Sequence, residues 1–150
     1  MNDLQDLYRE VILDHNRTPR NFGELEDANR IVEGVNPLCG DRITLYVKID
    51  GNTVEDISFT GTGCAISVAS SSLMTERVRG ISRQDNINLF NKVHDMLTAN
   101  DYDSRKVDDL EKLAALSGVR EYPTRIKCAS LAWHALKNAL PDASDNVSTE

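Results

Sequence analysis

The sequence predicts an α+β domain in which a small antiparallel sheet packs against several helices. First, Ile43, Leu45, Val47 and Ile49 alternate with polar residues, as in a strand that buries one face. Second, a turn sequence separates this strand from a second one of similar character. Third, apolar residues beyond position 63 recur at helical spacing. Strands followed by a run of helices favour an α+β fold over a parallel βαβ sheet.

The predicted sheet has three strands. The segments RITLYVKID at 42–50 and TVEDISFTG at 53–61 are joined by the turn sequence DGN at 50–52, which is typical of a β-hairpin. The segment NRIVEGVN at 29–36 precedes a proline and can add a third strand.

The predicted helices are recognised by apolar positions three and four residues apart and by stop signals at their ends. Gly80, Gly118 and Pro141 follow the ends of three of them. The predicted helices cover residues 3–16, 65–79, 84–99, 108–117 and 123–140. We expect a single domain over residues 3–140, because no linker or repeat divides the chain, and a disordered acidic tail at 141–150.

Composition excludes several classes of protein. The net charge of −7 argues against nucleic acid as the main partner. No apolar run reaches the roughly 18 residues of a membrane span. The first residues lack the basic and apolar regions of a signal peptide, so we expect a cytoplasmic protein with reduced cysteines. Positive charge is concentrated in residues 113–140, which carry a net +3.

Three cysteines cannot all pair, which favours metal binding or thiol chemistry. Cys39 lies two residues from Asp41, and the intervening glycine lets the chain turn so that both can face one pocket. Cys64 follows a glycine-rich turn at the start of a predicted helix, where the helix dipole favours a thiolate. Cys128 lies in the first turns of the last helix, next to the basic side chain of Lys127.

Spacing alone leaves two interpretations open. The cysteines are separated by 25 and 64 residues, without a C-x-x-C pair, so a shared metal site and three separately buried structural cysteines are both compatible with the sequence. We interpret His15 as ending the first helix and His94 as solvated. His134 is expected to face away from Cys128. The serines at 70–72 lack an identifiable base and are interpreted as helix-packing residues.

Four segments, in order along the chain, resemble the signature blocks of the IscU/SufU family of iron–sulfur cluster assembly proteins. They are LYREVILDHNRTPRNFG, NPLCGDRITLYVKI, GTGCAISVASSSLMTERVRG and PTRIKCASLAWHAL. The resemblance implies that Cys39, Asp41, Cys64 and Cys128 converge as metal ligands at one end of a three-stranded antiparallel sheet packed against helices. Either Zn²⁺ or a [2Fe–2S] cluster suits such ligands.

Two departures from the IscU branch are similar to the SufU branch. A lysine, Lys127, stands where IscU proteins have a histidine, and a protonated lysine has no lone pair for a metal. An insertion of about twenty residues covers roughly 82–102. The resemblance implies a zinc-dependent sulfurtransferase that accepts sulfur from a SufS-type cysteine desulfurase and serves downstream cluster-assembly proteins.

Within that interpretation, Cys39 is the expected sulfur acceptor, and Arg125 and Lys127 are expected to support the ligands electrostatically from just outside the metal site. Two alternatives remain. The same ligands could assemble a [2Fe–2S] cluster on a scaffold, or a structural zinc domain could bind a partner without any sulfur chemistry.

Overall fold

The computed structural model describes residues 3–37, 40–99 and 104–140. The predicted tail and Cys39 lie outside these residues. None of the helices in the described ranges is long and apolar enough to cross a membrane. The elements, in chain order, are α1 (Asp3–Arg17), β1 (Arg30–Asn36), β2 (Asp41–Asp50), β3 (Thr53–Thr62), α2 (Ala65–Val78), α3 (Arg83–Thr98), a 3₁₀ segment (Ser104–Glu121) and α4 (Pro123–Ala139).

The three strands form an antiparallel sheet in the order β1-β2-β3, which confirms the predicted α+β fold. Ile43, Leu45 and Val47 on β2 are fully buried, as their alternation predicts. The register pairs Asn36 with Asp41 across β1 and β2. The start of β2 therefore lies beside the end of β1 at this end of the sheet.

The helices cover one face of the sheet and build the core with it. Small side chains dominate the buried surface of α2, where the serines at 70–72 are all fully buried. This confirms their interpretation as packing residues. They let α2 approach α4, where Ser70 Oγ donates to the carbonyl of Ala129 and accepts from Trp133 Nε1–H. Trp133 is buried at the centre of this contact.

One predicted helix has a different form. The sequence predicts an α-helix at 108–117, but the structure has a longer 3₁₀ segment, Ser104–Glu121. It is interrupted at Glu111, whose φ of 53° and ψ of −124° are not helical. Arg120 near its end donates to the carbonyls of Met96 and Ala99 at the end of α3. This tertiary contact secures the end of α3 by satisfying carbonyl groups that the helix itself leaves unpaired.

His15 has a tertiary role that the sequence did not predict. It lies in the last turn of α1, as expected, and in addition its ring is buried and Nδ1 lies 2.7 Å from the hydroxyl of Ser72 on α2. The same hydroxyl accepts from the backbone N–H of Arg20 at 2.8 Å. His15 Nε2 lies 3.5 Å from Glu76 Oε1. The histidine thus joins α1 and the chain after it to the helix that begins beyond Cys64.

Stability is expected to fall as the pH falls below about 6.5, the ordinary pKa of histidine. Burial, reinforced by the Arg20 charge, lowers the pKa of His15. Burial, followed by the charges of His94 and Lys137, lowers the pKa of His134. The unfolded chain therefore takes up more protons in this range than the folded chain does, so the free energy of unfolding decreases between about pH 6.5 and the folded pKa values.

Urea unfolding of the wild type between pH 5 and 8 measures this slope. His15→Gln and His134→Gln should each flatten it, because each variant removes one group that resists protonation in the fold. A slope unchanged in both variants would show that groups other than these two histidines control the pH dependence.

Candidate metal centre

Cys64 is held by a tight turn and the start of α2. At Gly61 the φ of 147° and the carbonyl of Arg42, only 2.1 Å from where a Cβ would stand, require glycine. The chain then turns so that Cys64 becomes the N-cap of α2, and its Sγ accepts from the Ser67 backbone N–H at 3.4 Å. The sulfur takes the place that a serine or aspartate oxygen usually fills, which confirms the predicted helix-start position.

Asp41 is the first residue of β2, and its side chain is fully buried. Its Oδ1 accepts from the Cys64 backbone N–H at 2.9 Å, and its Oδ2 lies 3.9 Å from Cys64 Sγ. The carboxylate fits over Gly63, where an added Cβ would stand 2.8 Å from Asp41 Oδ1 and 3.0 Å from Ser67 Oγ. A side chain at position 63 would therefore displace the carboxylate from this place.

Cys128 reaches the same place from α4, where its side chain is buried. The helix lies close against β1, since a Cβ at Gly34 would stand 3.1 Å from Leu131 Cδ1. At the end of β1, Asn36 Nδ2 lies 3.8 Å from Cys128 Sγ. Tertiary packing thus brings the Asn36 amide and the Cys128 sulfur, which are far apart in the chain, together at the end of the sheet.

The ligand atoms of Asp41, Cys64 and Cys128 all lie within 4.8 Å of one another. Ligands of a tetrahedral zinc ion, bound at about 2.0–2.3 Å, are separated by roughly 3.5–3.8 Å. A shift of about an ångström would therefore close this set around one ion.

The surroundings fit a cation as well. Within the described residues, the buried Asp41 carboxylate forms no ion pair with a lysine or arginine, although a buried charge is costly without a partner. Ser67 Oγ is buried and has no hydrogen-bond partner in the same part of the chain. A divalent cation with thiolate and carboxylate ligands would compensate the carboxylate charge.

The other residues that the sequence associates with the metal site are basic side chains near Cys128 and the remaining cysteine, Cys39. Arg125 and Lys127 are exposed on the first turns of α4, on either side of a half-buried isoleucine. Arg42, which follows Asp41 in the chain, forms an ion pair with Glu33 at 3.0 Å. Cys39, which precedes Asp41 by two positions in the chain, lies outside the described residues, so its place as a ligand stays a prediction.

The histidines lie apart from the group of Asp41 and the two described cysteines. His94 is half-buried rather than fully solvated, and its ring stacks on Phe90 of the same helix. His134 on α4 packs edge-on against Phe90 and His94.

The sequence did not indicate that Asn36 and Ser67 lie next to the sulfur atoms. The sequence Asn36-Pro37 marks the end of the first strand and so places Asn36 near Cys39 in the chain. It does not indicate that the Asn36 amide lies next to Cys128.

Comparison with known proteins agrees with this geometry. Residues 7–129 match the model of the NifU-like N-terminal domain family. The chain is 44% identical over 138 residues to the zinc-dependent sulfurtransferase SufU of Bacillus subtilis (strain 168), covering 92% of each protein. It is 41% identical over 140 residues to the iron–sulfur cluster assembly scaffold protein IscU of Streptococcus pyogenes serotype M1, covering 93% of this chain and 86% of that one.

A solved structure extends the similarity to the fold. It comes from Fervidobacterium islandicum AW-1 and is assigned as an iron–sulfur cluster assembly scaffold protein for the SUF system. It has 33% identity and a TM-score of 0.78, and the match covers 88% of this chain and 95% of that one. The resemblance found in the four sequence segments is confirmed. The chain belongs to the IscU/SufU family of iron–sulfur cluster assembly proteins, which share the NifU-like N-terminal domain.

Proposed function

We propose that this protein is a cytoplasmic, zinc-dependent sulfur acceptor that takes persulfide sulfur from a SufS-type cysteine desulfurase for iron–sulfur cluster assembly. The observation that carries the proposal is the buried group of Asp41, Cys64 and Cys128, whose ligand atoms lie within 4.8 Å of one another. The name of the Bacillus subtilis relative, at 44% identity, supports the choice of zinc and of sulfur transfer.

Four residues would hold the ion: Asp41, Cys64 and Cys128 from the described group, and Cys39 from the segment between β1 and β2. Zinc has no redox chemistry, and bound here it would keep the thiols ionised and close together. Lys127 supports zinc over a cluster ligated by histidine, because its ammonium group has no lone pair to offer a metal.

The basic residues beside Cys128 have a separate part in the proposal. Three thiolates and a carboxylate around Zn²⁺ leave a formal charge of −2, which nearby cations would balance. Arg125 and Lys127 are on the same helix turns as Cys128 and are exposed. We therefore assign them the role of stabilising the negative centre and meeting the acidic or anionic groups of the donor protein.

The proposed reaction is a thiol exchange. The thiolate of Cys39 attacks the outer sulfur of the persulfide on the desulfurase, and a new S–S bond forms on this protein. The S–S bond of the donor breaks, and its electron pair leaves with the desulfurase cysteine as a thiolate, so no external oxidant or reductant is needed. Cys39 is favoured because Cys64 caps one helix and Cys128 lies within another, and an N–H donor approaches the sulfur of each.

Two other functions use the same residues. The name of the Streptococcus pyogenes relative, at 41% identity, favours a scaffold for a [2Fe–2S] cluster. Thiolates suit both zinc and iron–sulfur clusters, so the metal found in the protein separates these functions. A structural zinc domain would bind the metal equally well but would accept no sulfur.

Metal analysis of protein purified without added metal tests the proposal. We expect about one zinc per chain and little iron. Asp41→Ala should lower the zinc content, since it removes a ligand. Lys127→Ala should retain zinc and slow sulfur transfer, since it removes only a nearby charge. A brown sample with cluster absorption would contradict the proposal and favour the scaffold function, and loss of zinc in Lys127→Ala would contradict the assigned role of the lysine.

A further inference from the structure

Asn36 is a buried amide at the end of the sheet. It is the last residue of β1, pairs with Asp41 across the ladder, and is 6% exposed. A buried amide is costly unless its polar atoms have partners. Its Nδ2 lies 3.8 Å from Cys128 Sγ, within reach of an N–H···S hydrogen bond.

Among the described residues, an N–H donor approaches each of the two thiols, but the two donors are of different kinds. Cys64 Sγ accepts from a backbone N–H, that of Ser67, which is part of the first turn of α2. Cys128 Sγ is approached by a side-chain amide from another element, β1. Cys128 lies inside the first turns of α4 rather than at its N-cap, which is Tyr122, so the helix start does not supply this donor.

We propose that Asn36 is a positioning residue of the metal centre, which orients the Cys128 sulfur toward Asp41 and Cys64 and lowers its reactivity. The inference rests on the proposed function. An N–H donor withdraws electron density from a thiolate, so the sulfur remains a metal ligand but becomes a weaker nucleophile toward a persulfide. Asn36 thereby helps to direct the incoming sulfur to a thiol other than Cys128.

The position of Asn36 makes this role specific. Its backbone is fixed by the ladder to Asp41, and β1 is held against α4 by the close contact between Gly34 and Leu131. The amide and the carboxylate are therefore positioned at one end of the sheet, and the packing of α4 on β1 brings the sulfur to them. Changing the Asn36 side chain alters the environment of Cys128 without removing a metal ligand.

Cobalt(II) substitution tests the inference, because thiolate-to-cobalt charge-transfer absorption reports the electron density of the sulfur ligands. Asn36→Leu removes the donor at similar size, and Asn36→Asp replaces it with an acceptor. Both are expected to move the charge-transfer band to lower energy and to weaken zinc about 10–100-fold in competition with a chromophoric chelator. The full-length wild-type protein is the reference.

Asn86 provides a matched control. It is a fully buried amide on α3 that donates to the carbonyls of Ile81 and Ser82, and within the described residues it has no hydrogen bond to Cys64 or Cys128. Asn86→Asp should destabilise the fold but leave the cobalt band and the zinc affinity unchanged. A shift of the same size in Asn86→Asp would mean that general loosening, rather than a lost N–H···S bond, affects the site.

The outcomes distinguish this inference from the proposed function. If the wild type binds cobalt and zinc but both Asn36 variants keep its band and its affinity, the positioning role is wrong while the zinc centre stands. If the wild type binds neither metal through thiolates, the proposed function itself fails. The charge-transfer band is measured on folded, metal-loaded protein, so a variant that folds poorly is assessed in its folded fraction. Asn36→Asp also keeps the size and shape of the side chain at position 36 nearly unchanged.

Discussion

Cys39→Ser is expected to abolish sulfur transfer from the desulfurase, with a loss of at least about 100-fold in the persulfide formed on this protein. The hydroxyl of serine is not ionised at neutral pH and cannot carry a persulfide. Cys64 and Cys128 would remain, but each is fixed on a helix and approached at its sulfur by an N–H donor, so neither is expected to replace Cys39. The fold should survive, because the substitution lies in the connection between β1 and β2.

The measurement is mass spectrometry of peptides after turnover with desulfurase and cysteine, which locates the added sulfur. Asp41→Ala is the matched comparison, since it damages the metal site but leaves the Cys39 thiol able to accept sulfur. Sulfur found mainly on Cys64 or Cys128 in the wild type would overturn the assignment to Cys39 and keep the acceptor function. Absence of sulfur on every cysteine would overturn both and leave a structural zinc domain.

Removal of zinc is expected to lower the melting temperature by about 8–16 °C. A ligand present at about a thousand times its Kd stabilises the folded state by about 4 kcal/mol, and 1 kcal/mol shifts the melting temperature of a domain of this size by roughly 2–4 °C. The physical reason is local. Without a cation, Asp41 and two cysteines would remain crowded at the end of the sheet, with the carboxylate buried and without a basic ion-pair partner in the described residues.

Thermal unfolding followed by circular dichroism, with and without a chelator, measures this shift. Cys64→Ser supplies the control, since a protein that has lost its site should melt at one temperature under both conditions. Lys127→Ala should retain the full response to the chelator. Identical melting of the wild type with and without the chelator would show that these residues do not form a common metal site.

Local patterns explain why much of the architecture was predictable. The alternation of Ile43, Leu45 and Val47 identified β2, because side chains on successive residues of a strand point to opposite faces. The glycine turn before Cys64 identified the start of α2, because helix caps depend on residues within one turn. The 3₁₀ segment was less predictable, because Arg120 near its end bonds to carbonyls at the end of α3, a contact that depends on the tertiary fold.

The sequence by itself determined the strands, most of the helices, the family and the residues able to bind a metal, because each of these is encoded in short segments. Only the tertiary structure decided how closely Asp41, Cys64 and Cys128 approach one another, that Asn36 approaches Cys128, and that His15, in the last turn of α1, is buried against α2. These contacts join residues that are distant in the chain. They depend on how closely the helices pack on the sheet, and neither the periodicity nor the spacing of residues in the sequence encodes that packing.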